Sequence, residues 1–242
     1  MQSLDGKTLL VIGGSSGIGL RVAERAATEG AQLIIAGRNP DRLAQAHLRL
    51  LAVGAKKVSV IQLDAHDHAS LAGFFAGLQE FDHLVSMVGD VMGGGFATAD
   101  MSVIRHVMES KFFTNVRIGQ LAAPRLRPGG SMVFTSGTGG RAQHACASHV
   151  GNLGINALVE GLAAELAPQI RVNAVSPTWT LTPFWRDVAP AQLANTQAHF
   201  EQRIPSRRLA SIDELADAYL FLMRNGFVTG QHLAVDGGVM LG

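Results

Sequence analysis

The stretch Gly13-Gly14-Ser15-Ser16-Gly17-Ile18-Gly19 is the most informative part of the chain about its fold, because it joins an apolar run to a segment with helical periodicity. Its spacing is G-x3-G-x-G. One glycine permits a sharp turn off a strand, one lets backbone approach a pyrophosphate, and one allows close helix–strand packing. The N–H groups that open the helix suit phosphate. The stretch predicts a dinucleotide site, with a merely tight turn as the alternative, and its candidate cofactor residues are Gly13, Ser15, Ser16, Gly17, Ile18 and Gly19.

Short apolar runs alternate with helical patterns along the whole chain. The runs are nearly continuous rather than alternating, which is typical of strands buried on both faces. This order predicts one α/β domain over residues 1–242, a Rossmann-like doubly wound parallel sheet of about seven strands with helices on both faces. The predicted strands are Thr8–Ile12, Gln32–Ala36, Val58–Leu63, His83–Val88, Ser131–Thr135, Arg171–Val175 and His232–Val235.

Composition narrows the class of protein. The 242 residues carry a net charge of +1, which argues against a nucleic-acid surface, and the single Cys146 argues against a disulfide framework. We expect no membrane span, because no run of 18 apolar residues occurs, and the first residues lack a signal-peptide pattern. The histidines, including His66 and His68, form no convincing metal set. These features predict a cytoplasmic protein with no metal site and no nucleic-acid or membrane partner.

Two positions after predicted strands bear on the choice of cofactor. Arg38 follows the second strand, where an acidic residue would bind a ribose 2′-hydroxyl and an arginine suits a 2′-phosphate. We therefore predict NADP(H) rather than NAD(H), the alternative being a solvated loop arginine. Asp64 and Ala65 follow the third strand and are candidates for the adenine end. Asp64 could equally cap the next helix.

Four motifs make the chain resemble the short-chain dehydrogenase/reductase family over essentially its whole length. They are the glycine loop, Ser86-Met87-Val88-Gly89, Arg171-Val172-Asn173-Ala174-Val175-Ser176-Pro177, and Val228-Thr229-Gly230-Gln231 with Val235-Asp236-Gly237-Gly238. The resemblance implies NAD(P)(H) binding, a cytoplasmic setting and a dimer or tetramer. It also implies that the cofactor contacts Val88, Gly89, Pro177, Thr180 and Thr182, the last at the nicotinamide end.

The catalytic residues of that family are not kept here. The family uses Tyr-x3-Lys on a helix, with a serine and an asparagine upstream. The resemblance aligns Ser148 with the tyrosine, Asn152 with the lysine and Lys111 with the asparagine, while the serine position falls at Gly137, beside Ser136. The only tyrosine in the chain, Tyr219, precedes Met223 by four residues rather than a lysine.

We therefore expect a rewired active site formed by Lys111, Ser136, Ser148 and Asn152. Lys111 would restore the positive charge and Asn152 would bind the ribose. The proton would come through water from Ser136 or Ser148, or from His144 or His149. The alternative is that Lys111 simply points to solvent.

Two classes of function remain open at this point. One is an NADP(H)-dependent oxidoreductase acting on a small carbonyl or alcohol substrate. The other is an NADP(H)-binding protein without turnover, such as a sensor, scaffold or partner subunit, and a lyase or isomerase is a weaker third. The segment Thr178–Pro205 is either a lid with an aromatic face or a peripheral helix. The apolar face of Ile212–Met223 and the segment Val235–Leu241 predict a homotetramer or homodimer.

Overall fold

The computed structural model describes residues 1–92, 94–139 and 146–241. Seven strands form one parallel sheet in the order β3-β2-β1-β4-β5-β6-β7. This confirms the predicted doubly wound parallel sheet. The strands are β1 (Thr8–Ile12), β2 (Gln32–Gly37), β3 (Val58–Gln62), β4 (Phe81–Ser86), β5 (Leu126–Thr135), β6 (Arg171–Pro177) and β7 (His232–Val235).

Helices cover both faces of the sheet. The helices are α1 (Gly17–Thr28), α2 (Pro40–Ala52), α3 (His68–Gly77), α4 (Met101–Met108), α5 (Thr114–Ala122), α6 (Ala147–Leu166), α7 (Pro190–Arg203) and α8 (Ile212–Arg224). Side chains of α1, α2 and α8 join one buried apolar cluster, and those of α3, α5 and α6 join the other. A π-helical turn, Glu109–Phe113, joins α4 to α5. No helix in the described ranges combines the length and the apolar character needed to cross a bilayer.

Polar side chains start several of these helices where local chemistry predicts a start. Asn39 accepts the backbone N–H of Arg42 at α2, and Asp100 accepts that of Ser102 at α4. Ser211 and Glu214 form a capping box at α8, which satisfies two free N–H groups reciprocally. The helix predicted from Ile212 onward is therefore confirmed, with Ser211 as its N-cap.

β4 and β5 differ most from their predicted bounds, while β2, β3 and β6 end one or two residues from the predicted positions. β4 begins at Phe81 and ends at Ser86, not over His83–Val88, because Phe81 and Asp82 are buried while the chain turns away from the sheet after Ser86. β5 begins at Leu126, five residues before the predicted start. Pro128, Gly129 and Gly130 interrupt the apolar run, so a prediction based on apolar runs misses that extension.

The structure also corrects the argument for assembly that was based on the last helix. The apolar face of α8 is not available to a second subunit, because it packs against α1 and the sheet of the same chain. Tyr219 is fully buried, and its hydroxyl lies 2.7 Å from Thr135 Oγ1. The apolar periodicity of Ile212–Met223 therefore reflects the core of the chain itself. In the C-terminal segment, by contrast, Met240 and Leu241 are exposed.

A buried polar cluster lies at the amino end of β4, on the sheet edge opposite the glycine loop. Asp82 accepts hydrogen bonds from the Thr8 backbone N–H, Lys7 and Arg127. Next to it, His83 is 2 % exposed and its Nδ1 lies 2.9 Å from Ser131 Oγ. Burial lowers the pKa of His83 to about 4, with Arg171 and Lys7 adding to the effect and Asp82 opposing it.

This cluster makes stability depend on pH in a predictable direction. The unfolded chain takes up a proton on His83 as pH falls below about 6.5, while the folded chain takes it up only near pH 4. The contribution of neutral His83 to the free energy of unfolding is therefore fully present above pH 6.5. It falls by about 3 kcal/mol as the pH drops to 4. Urea unfolding of His83→Gln should lack this component. His232→Gln, an exposed control, should follow the wild type; parallel curves for all three proteins would refute the assignment.

Candidate active site

The glycine loop lies at the carboxyl edge of the sheet, and its shape excludes side chains. Gly13 has φ +85°, and a Cβ there would lie 2.8 Å from Cβ of Met87. A Cβ on Gly19 would lie 2.5 Å from the Gly13 carbonyl oxygen. Both contacts are too close for any residue except glycine, so the loop and the start of α1 pack tightly against the end of β4. The side chain of Ile18 anchors this turn on the core.

The first turn of α1 is open to an anion. Ser16 is the N-cap, with an extended backbone, but its side chain makes no capping hydrogen bond, and the first turn contains no acidic residue. Free N–H groups at a helix start, with no carboxylate to repel phosphate, suit a pyrophosphate. Thr182 and Pro183 approach Gly17 to within 3.6 Å of where its Cβ would be. The loop after β6 therefore faces the glycine loop across this edge.

At the end of β2, Arg38 is exposed and its guanidinium has no hydrogen bond or ion pair within the described part of the chain. Its carbonyl accepts from Gln62 Nε2 at 3.2 Å. Ser15 Oγ lies beside Gly37, 3.1 Å from the position of a Cβ there, so the loop and the end of β2 are adjacent. An arginine held at its backbone with a free side chain suits a phosphate beside the loop.

Asp64 and Ala65 follow the third strand, which ends at Gln62, and here one alternative proves wrong. Asp64 accepts the backbone N–H of His66 at 3.0 Å, whereas the cap of α3 is Asp67, which accepts from Ala69 and Ser70. Asp67 lies directly before the helix, so position alone could have identified it. Ala65 is buried and Asp64 is exposed.

Beyond β4, a buried asparagine that sequence reasoning missed organises the site. Asn115 Nδ2 donates to the carbonyls of Val88 at 3.0 Å and Lys111 at 2.7 Å, and its Oδ1 accepts from Ser86 Oγ at 2.6 Å. These bonds tie the loop through Val88 and Gly89 to the π-helical turn. A polar residue on the apolar face of a helical pattern, four positions after Lys111, was the available signal.

Lys111 lies inside the molecule, so the alternative that it points to solvent is wrong. It is 7 % exposed, and its side chain runs between Gly89 and Gly151. A Cβ on Gly151 would lie 2.9 Å from Lys111 Cδ, and one on Gly89 would lie 3.2 Å from Cγ. Burial lowers the pKa of Lys111 to about 8, while Asp90 and Cys146 act to raise it.

The ammonium group of Lys111 has no hydrogen-bond or ion-pair partner among the described residues. Its electrostatic neighbours are Asp90, in the loop after β4, and Cys146, the N-cap of α6. The charge therefore lies near the first turn of α6, which carries Ser148. A desolvated, unpaired ammonium is expensive unless it has a ligand or a reaction to serve.

The other predicted catalytic residues hold the framework around this charge. Ser148 Oγ accepts the Met92 backbone N–H at 2.8 Å and so fixes the loop after β4. Ser136 Oγ lies 2.8 Å from Asn156 Oδ1 and 3.1 Å from the Asn152 carbonyl oxygen, which fastens β5 to α6. Asn152 is half-buried, with its amide against Gly137 and its Oδ1 lacking a partner. His149 follows Ser148 on α6 and is partly exposed, whereas His144 lies outside the described residues.

The end of β6 adds further polar groups. The Pro177 carbonyl accepts the Thr138 backbone N–H at 2.9 Å, yet the buried hydroxyls of Thr138 and Thr178 have no partner in the part of the chain that the structure describes. Thr180 Oγ1 donates to the Thr178 carbonyl at 3.0 Å, and Thr182 Oγ1 accepts the backbone N–H that opens the short 3₁₀ turn after it. Together with Asn152 Oδ1, the two unpaired hydroxyls leave hydrogen-bonding capacity unused at the carboxyl edge.

The segment after β6 contains the helix α7, none of whose residues is buried, so the peripheral-helix interpretation fits it better than an open aromatic face. Trp179 stacks on Phe200 with ring centroids 5.5 Å apart and on Trp185 at 5.8 Å. Trp185 Nε1 donates to the Thr180 carbonyl at 3.0 Å. These rings hold α7 on the loop, while Phe184 is exposed.

The residues at this edge fit a nicotinamide dinucleotide. The glycine loop leaves no room for side chains, the first turn of α1 is free of carboxylates, and Arg38 is unpaired. Near the ends of β5 and β6, polar atoms of Thr138, Thr178 and Asn152 have no hydrogen-bond partner among the described residues. The described residues contain no group of three metal-ligating side chains.

Comparison with known proteins gives the same class. A family model described as enoyl-(acyl carrier protein) reductase matches residues 13–240. The short-chain dehydrogenase/reductase ATR9 of Stachybotrys chlorohalonatus is 32% identical over 260 residues, covering 100% of both chains. The short-chain dehydrogenase/reductase fsr5 of Gibberella fujikuroi is 30% identical, covering 100% of this chain and 97% of that protein.

Solved structures agree with these sequence relatives. The structure of MalC reductase/Diels-Alderase from Malbranchea aurantiaca superposes with a TM-score of 0.89 at 28% identity, covering 100% of this chain and 99% of that one. An actinorhodin polyketide ketoreductase with NADPH superposes at 0.85 with 25% identity, covering 99% of each chain. The chain belongs to the short-chain dehydrogenase/reductase family and is an oxidoreductase of that type, a class that binds nicotinamide cofactors and small-molecule substrates and is commonly oligomeric.

The passage of Lys111 beside α6 predicts a coupling between two positions. Alanine is favoured over glycine in a helix by about 1 kcal/mol, so Gly161→Ala, in open space on α6, should stabilise the chain. Gly151→Ala should gain less or destabilise, because its Cβ meets Lys111 Cδ. In a Lys111→Ala background Gly151→Ala should improve by at least about 1 kcal/mol. Urea unfolding of the wild type, Gly151→Ala, Lys111→Ala and the double variant measures this coupling.

The matched control is Gly161→Ala, which should have the same effect in both backgrounds. If Gly151→Ala also has the same effect in both, Lys111 does not run beside that turn of α6 in solution.

Proposed function

We propose that this protein is an NADP(H)-dependent oxidoreductase that transfers hydride between the nicotinamide and a small carbonyl or alcohol substrate. In this proposal Lys111 stands in for the missing tyrosine beside the reacting oxygen. The observation that carries it is a buried ammonium, without a partner among the described residues, near the turn of α6 that carries Ser148. An oxidoreductase makes use of that charge, whereas a protein that only binds a nucleotide does not need it.

The proposed cofactor residues divide into three groups along the carboxyl edge. The pyrophosphate end comprises the loop from Gly13 to Gly19, and the adenosine end comprises Arg38, Asp64 and Ala65. The nicotinamide end comprises Val88, Gly89, Pro177, Thr180 and Thr182. The exposed guanidinium of Arg38 favours a 2′-phosphate, and the related polyketide ketoreductase is described with NADPH.

The choice of NADP(H) is tested at Arg38. A charge-assisted contact contributes roughly 1.5–3 kcal/mol, so the wild type should bind NADPH about 10- to 150-fold more tightly than NADH. Arg38→Ala should lose most of that preference by weakening NADPH alone. Calorimetric titration of both cofactors measures it, with Arg117→Ala, an exposed arginine on α5, as the control. Equal binding of the two cofactors by the wild type would contradict the proposal.

The chemistry assigned to the chain's own residues is electrostatic and acid–base. A bound reduced nicotinamide supplies hydride to a carbonyl carbon. The Lys111 ammonium stabilises the negative charge that develops on the carbonyl oxygen, and this effect is stronger in a buried site than in water. Its pKa near 8 leaves it protonated at neutral pH yet a far better proton donor than an ordinary lysine. The Asn152 amide, with Oδ1 unpaired, is suited to the ribose hydroxyls.

Ser136 and Ser148 have supporting roles in this proposal. The Ser136 hydroxyl bonds α6 and the Ser148 hydroxyl bonds the loop at Met92. Both therefore keep the backbone around Lys111 and Asn152 in place. The Ser148 hydroxyl accepts from Met92 and keeps its own proton to donate, which leaves it able to bond a substrate oxygen or a water beside Lys111.

The catalytic assignment predicts the behaviour of Lys111→Met. NADPH oxidation with a panel of carbonyl compounds should fall about 10²–10⁴-fold, because the charge and the proton donor are both lost. NADPH affinity should fall much less than turnover. In the wild type, carbonyl reduction should decline as pH rises past about 8, where Lys111 loses its proton. Lys57→Met, an exposed lysine, is the control.

Two results would count against this function. Full turnover by Lys111→Met would remove the lysine from the mechanism. Tight NADPH binding by the wild type without NADPH consumption over the whole panel would favour the alternative of a protein that binds the cofactor without turnover.

We also propose a cytoplasmic homodimer or homotetramer. Support comes from exposed apolar side chains on neighbouring helices rather than from α8. They are Phe113 at the π-helical turn, and Val150 and Leu153 on α6. Exposed apolar side chains grouped on a surface commonly mark a subunit interface.

A further inference from the structure

An aspartate and a histidine that the proposed chemistry leaves unused lie next to Lys111. Asp90 directly follows Gly89, whose backbone the Lys111 side chain crosses. The backbone N–H of Asp90 donates to Ser110 Oγ at 3.0 Å, so the loop is fastened one residue before Lys111. The Asp90 carboxylate lies 2.9 Å from Nε2 of His106, one turn earlier on α4.

These groups span the distance from the buried site to bulk water. Lys111 is 7 % exposed, and the side chains of Asp90 and His106 are 27% and 63% exposed. Asp90 and Lys111 form no direct ion pair among the described contacts, although the carboxylate is close enough to raise the pKa of the lysine. A hydrogen-bonded connection between them therefore runs through intervening water.

Within residues 1–92, 94–139 and 146–241, the other polar neighbours of Lys111 offer no comparable connection. Cys146 Sγ points to the Met92 carbonyl, 3.7 Å away, and Ser148 holds the Met92 backbone N–H. The charged or titratable groups around His106 are engaged elsewhere. Glu109 pairs with His68 at 3.1 Å, and His66, whose ring lies 6.4 Å from that of His106, contacts Thr114.

We propose that Asp90 and His106 form the route by which protons pass between bulk water and Lys111. The inference rests on the proposed function, in which Lys111 donates a proton to the substrate. In that step the N–H bond of the ammonium breaks and the O–H bond of the product alcohol forms, leaving a neutral amine. His106 then passes a proton through the Asp90 carboxylate and the intervening water to the amine, and takes another from solvent. Asp90 and His106 are positioning residues, since they act through Lys111.

The first test is activity with buffer rescue. His106→Gln should lower kcat for carbonyl reduction about 10- to 100-fold without changing NADPH affinity, and added imidazole buffer should restore it in proportion to its concentration. His68→Gln is the matched control, because it removes an exposed imidazole that bonds a carboxylate at a similar distance outside this route. A kcat for His106→Gln that equals that of His68→Gln, or that ignores imidazole, overturns the proposal.

The second test needs no substrate. Titration of Lys111 by NMR of a labelled lysine side chain should show a lower pKa in Asp90→Asn than in the wild type, because a facing carboxylate is removed. It should also show a change in His106→Gln and none in His68→Gln. An unchanged Lys111 titration in Asp90→Asn overturns the connection between the two groups.

Failure of the proposed function and failure of the proton route give different experimental results. If Lys111→Met keeps full turnover, the proposed function is wrong, whatever the histidine variants do. If Lys111→Met loses turnover while His106→Gln keeps it, the function stands and the proton route is wrong.

Discussion

The arrangement of this site depends on the cost of burying one ammonium group. Burial that lowers the pKa of Lys111 from 10.5 to about 8 disfavours its charged form by about 3 kcal/mol. The folded chain retains this buried charge because its surroundings hold the side chain in place. Here most of those surroundings are backbone atoms. Gly89 and Gly151 leave the space for its methylene groups, and Asn115 bonds its carbonyl oxygen. The π-helical turn, which inserts an extra residue into the helix at this point, directs the side chain inward.

The same constraint relates the lysine to the dinucleotide edge. The loop that follows β4 contacts the glycine loop through Met87 and Gly13 on one side, and carries Gly89 beside Lys111 on the other. A short segment thus connects the pyrophosphate region with the buried charge. Asn115 and Ser148 fix that segment from α5 and α6, so the distance from cofactor to ammonium depends on a few hydrogen bonds rather than on a flexible loop.

Sequence reasoning reached the fold because its evidence is local and repeated: each strand is a short apolar run, and the glycine loop follows the first of them. It also brought Lys111, Ser148 and Asn152 to one place through the family resemblance. It could not decide where the ammonium points, because that depends on Gly151 from a helix 40 residues away. It misplaced the apolar face of α8 for a similar reason, since periodicity shows that a face is buried but not which surface covers it. The sequence did not identify Asn115 and Asp90, because their roles depend on hydrogen-bond partners that only the folded structure shows.

The most direct measurement is a crystal structure of the NADP⁺ complex. The account predicts the Lys111 ammonium within hydrogen-bonding reach of the nicotinamide ribose or of the substrate oxygen, or one water molecule away, about 6 Å at most. It also predicts the 2′-phosphate against Arg38. A Lys111 ammonium more than about 8 Å from the nicotinamide ribose, with no water chain between them, would contradict the account.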